Sequence, residues 1–144
     1  MGIKFTQAKE IVEEIVRFSS QDKQGRPSSI AVVDEAGVLV CFARMDGASP
    51  LTARMAMNKA YTAIDWKRDT KDIQAFIKEN NRDITWFGDS RHAPIPGGVL
   101  LKTKTGTTVG AIGTSGRTAE EDEEQARVGE KVWNTLLDSG SLEK

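Results

Sequence analysis

Apolar residues recur in the N-terminal segment at Ala8, Ile11, Val12, Ile15 and Val16. That spacing is one stripe of an amphipathic helix, with Thr6 placed to cap it. Gly25 and Pro27 break the pattern within Gln21–Ser28. The period then changes. Ser29–Asp34 is a short run rich in β-branched residues, and Val38–Arg44 is a second one across Glu35-Ala36-Gly37, which predicts an antiparallel hairpin. Ser49-Pro50 opens a second helix reaching to about Trp66, with Ser at the cap and Pro at the first helical position. Thr70 is placed to cap a third helix over Ile73, Phe76 and Ile77.

From Glu79 to Pro96 the periodicity dissolves, and so long a connection often serves function or faces a partner. Gly97–Lys102 and Thr107–Thr114 read as two more strands turned at Lys104-Thr105-Gly106. A last helix begins near Thr118, carries Ala126, Gly129, Val132, Trp133, Leu136 and Leu137 on one stripe, and stops at Gly140. Hairpins separated by helices predict an α+β fold, a central antiparallel β-sheet flanked by helices, as one domain over residues 1–144.

Composition narrows the function. The chain has 20 Lys+Arg against 21 Asp+Glu, a net charge of −1, so it lacks the basic surplus of a nucleic-acid binder. Cys41 is the lone cysteine and His92 the lone histidine, so no internal disulfide and no metal site built of several His and Cys is expected. No stretch has the length of a membrane span, and no apolar signal segment opens the chain, which makes a cytoplasmic location the expectation. Met1–Thr6 fits the loose N-myristoylation pattern, but Phe5 and Thr6 already serve the start of the helix.

Three segments carry candidate chemistry. Arg44-Met45-Asp46-Gly47-Ala48 leaves a strand end, where the forked donors of Arg44 suit a carboxylate and an Arg–Asp surface pair is the plainer reading. Pro96-Gly97-Gly98 permits close backbone approach by a ligand or another chain, or simply a tight bend. Gly110–Gly116 runs into Glu120–Glu124, which excludes a phosphate loop: no Gly-Lys-Ser/Thr follows, and the acids suit the helix dipole instead. Cys41 within an apolar strand reads as a small hydrophobe, not a nucleophile. A haem needs only one or two axial ligands, for which His92 and Met45 are candidates. Lys59 is a candidate imine-forming amine if buried.

Taken in order, Ser29–Asp34 with Gly37, Arg44–Ala48, Asn58–Ala63, Pro96–Gly98, Gly110–Gly116 and Asp122-Glu123 with Ala126 resemble the GlcG/HbpS-like family, which includes the C-terminal domain of PduO proteins. The resemblance implies a compact α+β domain in a homo-oligomer (dimer-based, up to an octamer) with a small-molecule ligand. It also implies haem or tetrapyrrole binding, with Gly97 and Gly98 carried over as pocket positions, while His92 and Met45 are the cofactor ligands that this sequence itself offers. Thr6–Gln21 contains no histidine, so the first-helix haem ligand of some relatives has no counterpart here. The family's link to lyases implies the alternative of a cofactor-independent catabolic enzyme: a lyase, isomerase or hydrolase acting on a small carboxylated or aromatic substrate. In that reading Arg44 anchors a carboxylate, Asp46 moves protons, and Lys59 and Ser115 orient the substrate.

Overall fold

A computed structural model describes residues 2–140. Met1, where the acylation pattern begins, and the last four residues of the expected 1–144 domain lie outside the described residues. The elements are α1 (Phe5–Gln21), β1 (Ser29–Asp34), β2 (Leu39–Arg44), α2 (Pro50–Trp66), α3 (Thr70–Glu79), a 3-10 turn (Ile84–Phe87), β3 (Gly98–Lys102), β4 (Thr108–Ser115) and α4 (Ala119–Asp138). The four strands form one antiparallel sheet in the order β2-β1-β4-β3, the expected α+β architecture. No helix among the described residues is long and apolar enough to cross a membrane.

Strand alternation sorts side chains into two layers. Ile30, Val32, Val99 and Ile112 point to one face and meet Ile11, Ile15, Ala126 and Trp133 of α1 and α4. Val33, Leu100 and Ala111 point to the other and meet Ala60, Ala63 and Ile64 of α2. On that second face Ala31, Gly113 and Gly98 stand in one row across β1, β4 and β3. A Cβ on Gly113 would overlap the Ala56 carbonyl oxygen, and one on Gly98 would come 2.5 Å from the Lys59 carbonyl oxygen. The small row therefore lets the backbone of α2 settle onto the sheet. This close approach is where the paired glycines are spent.

Two helix starts differ from expectation. Thr6 does not cap α1: the helix begins two residues earlier than such a cap implies, at Phe5, with Lys4 at the cap and its N–H donated to Gln7 Oε1 at 2.9 Å. Thr70 does not cap α3 either. Asp69 takes that position, leaving the buried Thr70 hydroxyl to accept from Gly98 N at 2.8 Å. The capping box expected near Thr118 is present, Thr118 Oγ1 accepting from Glu121 N at 3.2 Å. β2 starts at Leu39, and a bulge in its pairing with β1 absorbs Val40.

The two sheet edges are treated differently. On β3, Gly98 N goes to Thr70, Leu100 N donates to Asp69 Oδ1 at 2.9 Å, and Lys102 O accepts from Trp133 Nε1 at 2.7 Å. Side chains thus occupy the outward backbone groups of an edge that would otherwise invite another strand.

Candidate functional site

Two polar centres lie on α2, one at each end of its second half. The first is built around Lys59, whose side chain is 2% exposed. Its Nζ lies 3.0 Å from Asp122 Oδ2 and donates to Thr114 O at 3.0 Å. Asp122 also accepts from Arg117 N at 3.0 Å, and Thr114 Oγ1 donates to Asp122 O. Gly97 completes the centre because a Cβ there would come within 3.0 Å of Lys59 Nζ and 2.7 Å of Thr114 O. Burial pushes the Asp122 carboxyl above its ordinary value, with Lys59 pulling the other way. Next to it Glu123 accepts from Gly97 N at 3.3 Å and pairs with Arg127, which also holds Asp69 at 2.9 Å.

This arrangement reassigns several residues. The acidic run of α4 is more than a dipole feature, since Asp122 and Glu123 are the partners of Lys59, Arg127 and the Gly97 amide. Lys59 is buried, as an imine-forming amine must be, but its ammonium is committed to a carboxylate and a carbonyl. The Gly97 and Gly98 amides are likewise taken, by Glu123 and Thr70. No sequence signal linked Lys59 to Asp122, which lies 63 positions away.

The second centre lies at the C-terminal end of α2. His92 Nε2 is 2.6 Å from Asp65 Oδ2, and the His92 side chain is 2% exposed. A carboxylate only accepts, so Nε2 carries a proton, and in the neutral imidazole Nδ1 is then an acceptor. That Nδ1 is buried and has no hydrogen-bond partner among the described residues. Beside it the Tyr61 hydroxyl donates to Asp89, and Arg91 reaches both Tyr61 Oη at 2.7 Å and Asp89. Hydrogen bonds from Arg91 and then Tyr61 hold the Asp89 carboxyl well below the usual range. Asp65, Asp89 and His92 each bring a donor atom within 4.8 Å of the others. Both oxygens of Asp89 are already occupied by Arg91 and Tyr61, so the trio is built as a hydrogen-bond network rather than an open cation cage.

The long connection is held here. Ala93 N donates to Thr62 Oγ1 at 2.8 Å, and Trp66 meets Phe87 at 4.7 Å and the edge of His92 at 6.1 Å. Beside this aromatic cluster runs a groove of about 520 Å³ lined by Ile77, Asn81, Arg82, Asp83, Ile84, Trp86 and Pro94. Trp86 is 66% exposed. Arg82 has no side-chain partner among the described residues.

The remaining candidates lie elsewhere. Arg44, Met45 and Asp46 precede the N-terminus of α2, so Met45 and His92 stand near opposite ends of a helix about 25 Å long and cannot ligate one iron. Arg44 and Asp46 are exposed, while Ser115 is buried at the end of β4. Cys41 is half-buried against the core beneath α1, and burial pushes its thiol up, as suits a hydrophobe.

Comparison with known proteins adds an independent line. The family model described as haem degrading protein HbpS-like matches residues 3–130. Protein GlcG of Escherichia coli strain K12 is 33% identical over 87 residues, 60% of this chain and 63% of GlcG. The match thus spans less than two thirds of that relative's length. A double mutant of HbpS from Streptomyces reticuli superposes with a TM-score of 0.81 at 28% identity, covering 92% of this chain and 87% of that one. PduOC, solved as a haem complex, superposes with a TM-score of 0.82 at 21% identity over 92% of this chain and 95% of that one, a likeness of fold.

Proposed function

The chain belongs to the HbpS-like family, and from that premise we propose that it binds haem or a related tetrapyrrole beside α3, with His92 as the axial ligand. The observation that carries this reading is the buried imidazole. Asp65 holds Nε2 and leaves Nδ1 as an unpartnered electron-pair donor. Metal-bound histidines are typically oriented in this way, by a carboxylate on the other ring nitrogen. The donor set therefore fits one axial bond.

The surroundings fit the rest of such a ligand. Trp86 and Ile84 offer a flat apolar wall, Arg82 offers an unpaired cation to a carboxylate side arm, and the groove volume is of the size that takes a cofactor. His92 lies two residues before Pro94, which lines the groove. The bound group would supply redox and ligand-binding chemistry at its iron. This chain would supply the axial nitrogen, the charge partner and the apolar cover. The haem complex of PduOC and the family's description support the reading. Assembly as a homo-oligomer belongs to the same proposal.

The test is a hemin titration followed by absorption spectroscopy, beside His92→Ala and Trp86→Ala. A stoichiometric, sharp Soret band that His92→Ala abolishes and Trp86→Ala weakens is the expected result. A band indifferent to His92→Ala overturns the assignment.

A further inference from the structure

We propose that a pocket on the β3 edge docks the carboxyl-terminal end of a partner protein, as one extended segment running parallel to β3. The cover on that edge is incomplete. Thr114 N bonds Gly97 O and Thr103 N bonds Thr107 O, so the backbone groups of Gly98, Leu100 and Lys102 between them point away from β4. Thr70 takes both groups of Gly98, Asp69 takes Leu100 N, and Trp133 takes Lys102 O. Leu100 O and Lys102 N are left without a partner among the described residues. Both residues line a pocket of about 430 Å³ between β3 and the C-terminal half of α4. Asp69 and Glu130 border it beside Leu100, and Lys104 and Asp138 border it past Lys102.

An acceptor and a donor two residues apart on one edge match a single extended residue in a parallel bridge. Its N–H donates to Leu100 O and its C=O accepts from Lys102 N. An antiparallel segment would bring a carbonyl to where the Asp69 carboxylate already accepts from Leu100 N. It would also bring an N–H to where the Trp133 indole already donates to Lys102 O. The occupied groups thus select the direction, and a segment parallel to β3 leaves the bridge toward Thr103 and Lys104. Charge agrees with that direction. Asp69 and Glu130, at the entry, are both tied to Arg127. At the exit the exposed Lys102 ammonium has no partner among the described residues, and Lys104 holds Asp138 only in an exposed pair that adds little. Two such lysines suit a terminal carboxylate. Addition of an extended segment to a sheet edge draws its affinity from main-chain bonds. The pocket uses no residue of the His92 centre and is independent of the tetrapyrrole reading.

The experiment follows the backbone amides of the full chain by NMR during titration with N-acetyl-alanyl-alanine, whose acetyl group stands for the chain that precedes a carboxyl terminus. Its carboxamide and unacetylated alanyl-alanine are titrated beside it. The Lys102 N–H should shift downfield saturably with the acetylated peptide and gain protection from exchange, whereas the Thr103 N–H, already bonded to Thr107 O, should change little. The carboxamide should bind at least tenfold more weakly. Lys102→Pro removes an outward N–H from an edge strand, where proline is tolerated, and should abolish binding. Lys102→Ala keeps that N–H, sits on the surface and guards against a proline variant that fails to fold; it should weaken binding several-fold and still show the shift at position 102. Lys23→Ala, at an exposed lysine before β1, should leave the affinity unchanged. No saturable shift at Lys102 overturns the site, as does equal affinity for the carboxamide or full affinity in folded Lys102→Pro. Binding of unacetylated alanyl-alanine alone also overturns it, because a free zwitterion and not a chain end would then be the occupant.

Discussion

Lys59 Nζ and Asp122 Oδ2 lie 3.0 Å apart with both side chains almost wholly buried, so α2 and α4 share one neutralised charge pair at the end of the sheet. Such a pair adds little net stability compared with apolar residues of the same shape, but half of it is expensive. Lys59→Met, which leaves Asp122 buried and unpaired, should cost about 3–5 kcal/mol. At this chain length that is a fall in Tm of roughly 10 °C. Lys59→Met combined with Asp122→Leu should recover most of it in urea unfolding. Equal loss in the single and double variants would show that packing, not charge, sets the cost.

The same carboxyl predicts a pH dependence. Burial, opposed by Lys59, raises Asp122 above its ordinary 3.8. The folded chain therefore holds this proton to a higher pH than the unfolded chain does. The term it contributes grows as pH falls through the raised value toward 3.8, and is lost as pH rises. Measured from pH 7 to 4, the wild type should gain stability relative to Asp122→Asn, in which nothing titrates at this position. A wild type that loses ground across that window would contradict the assignment.

Gly113 tests how α2 is seated. A methyl group there has nowhere to go, because the Ala56 carbonyl occupies its place and the backbone of a packed helix cannot yield alone. Gly113→Ala should destabilise by about 3 kcal/mol, at or above the upper end for overpacked cores. Calorimetric melting would check it, and a neutral result would mean that α2 stands further from the sheet.

These glycines show where the sequence could be read and where it could not. The hairpins, the helical stripes and the antiparallel class follow from periodicity, because each is decided by neighbours in the chain. The β1–β4 pairing joins strands more than 70 positions apart and leaves no local mark. Gly97 and Gly98 stand out as places of close approach, but composition does not say what approaches: it is the Lys59 backbone of α2 at Gly98, and Thr114 O with Lys59 Nζ at Gly97. Lys59 was visible as a candidate and Asp122 was hidden inside an acidic run that helix electrostatics already explained. Thr6 and Thr70 are good capping residues displaced by tertiary bonds, Ile3 N to Val109 O before α1 and Thr70 to the β3 edge.

Thr70 gives a prediction of its own. Its hydroxyl accepts from Gly98 N at 2.8 Å in a wholly buried position. Thr70→Val keeps the shape and strands that amide, which should cost about 1–3 kcal/mol. Thr70→Ser, which retains the hydroxyl, should lose less. If valine proves as stable as serine in equilibrium unfolding, the amide has found water and the β3 edge is open at this point.

Asp89 should make the attachment of the long connection acid-labile. Arg91, and then Tyr61, hold its carboxyl far below 3.8 in the fold, so the stabilisation it contributes is complete above 3.8 and is lost as pH falls below that value. The segment that Asp89 anchors carries His92, and its other ties to α2 are His92 Nε2 on Asp65 and the Ala93 amide on Thr62 Oγ1. Hydrogen exchange, corrected for the intrinsic rate, should show residues 89–93 protected at pH 5 and losing protection toward pH 3. The core strands should lose none over the same range. Asp89→Asn should exchange freely at both pH values, and Tyr61→Phe, which removes one of the two partners, should fall between. Protection that survives pH 3 in the wild type, or that is unchanged in Asp89→Asn, would show that Trp66 and Thr62 hold the segment and that the carboxylate only decorates it.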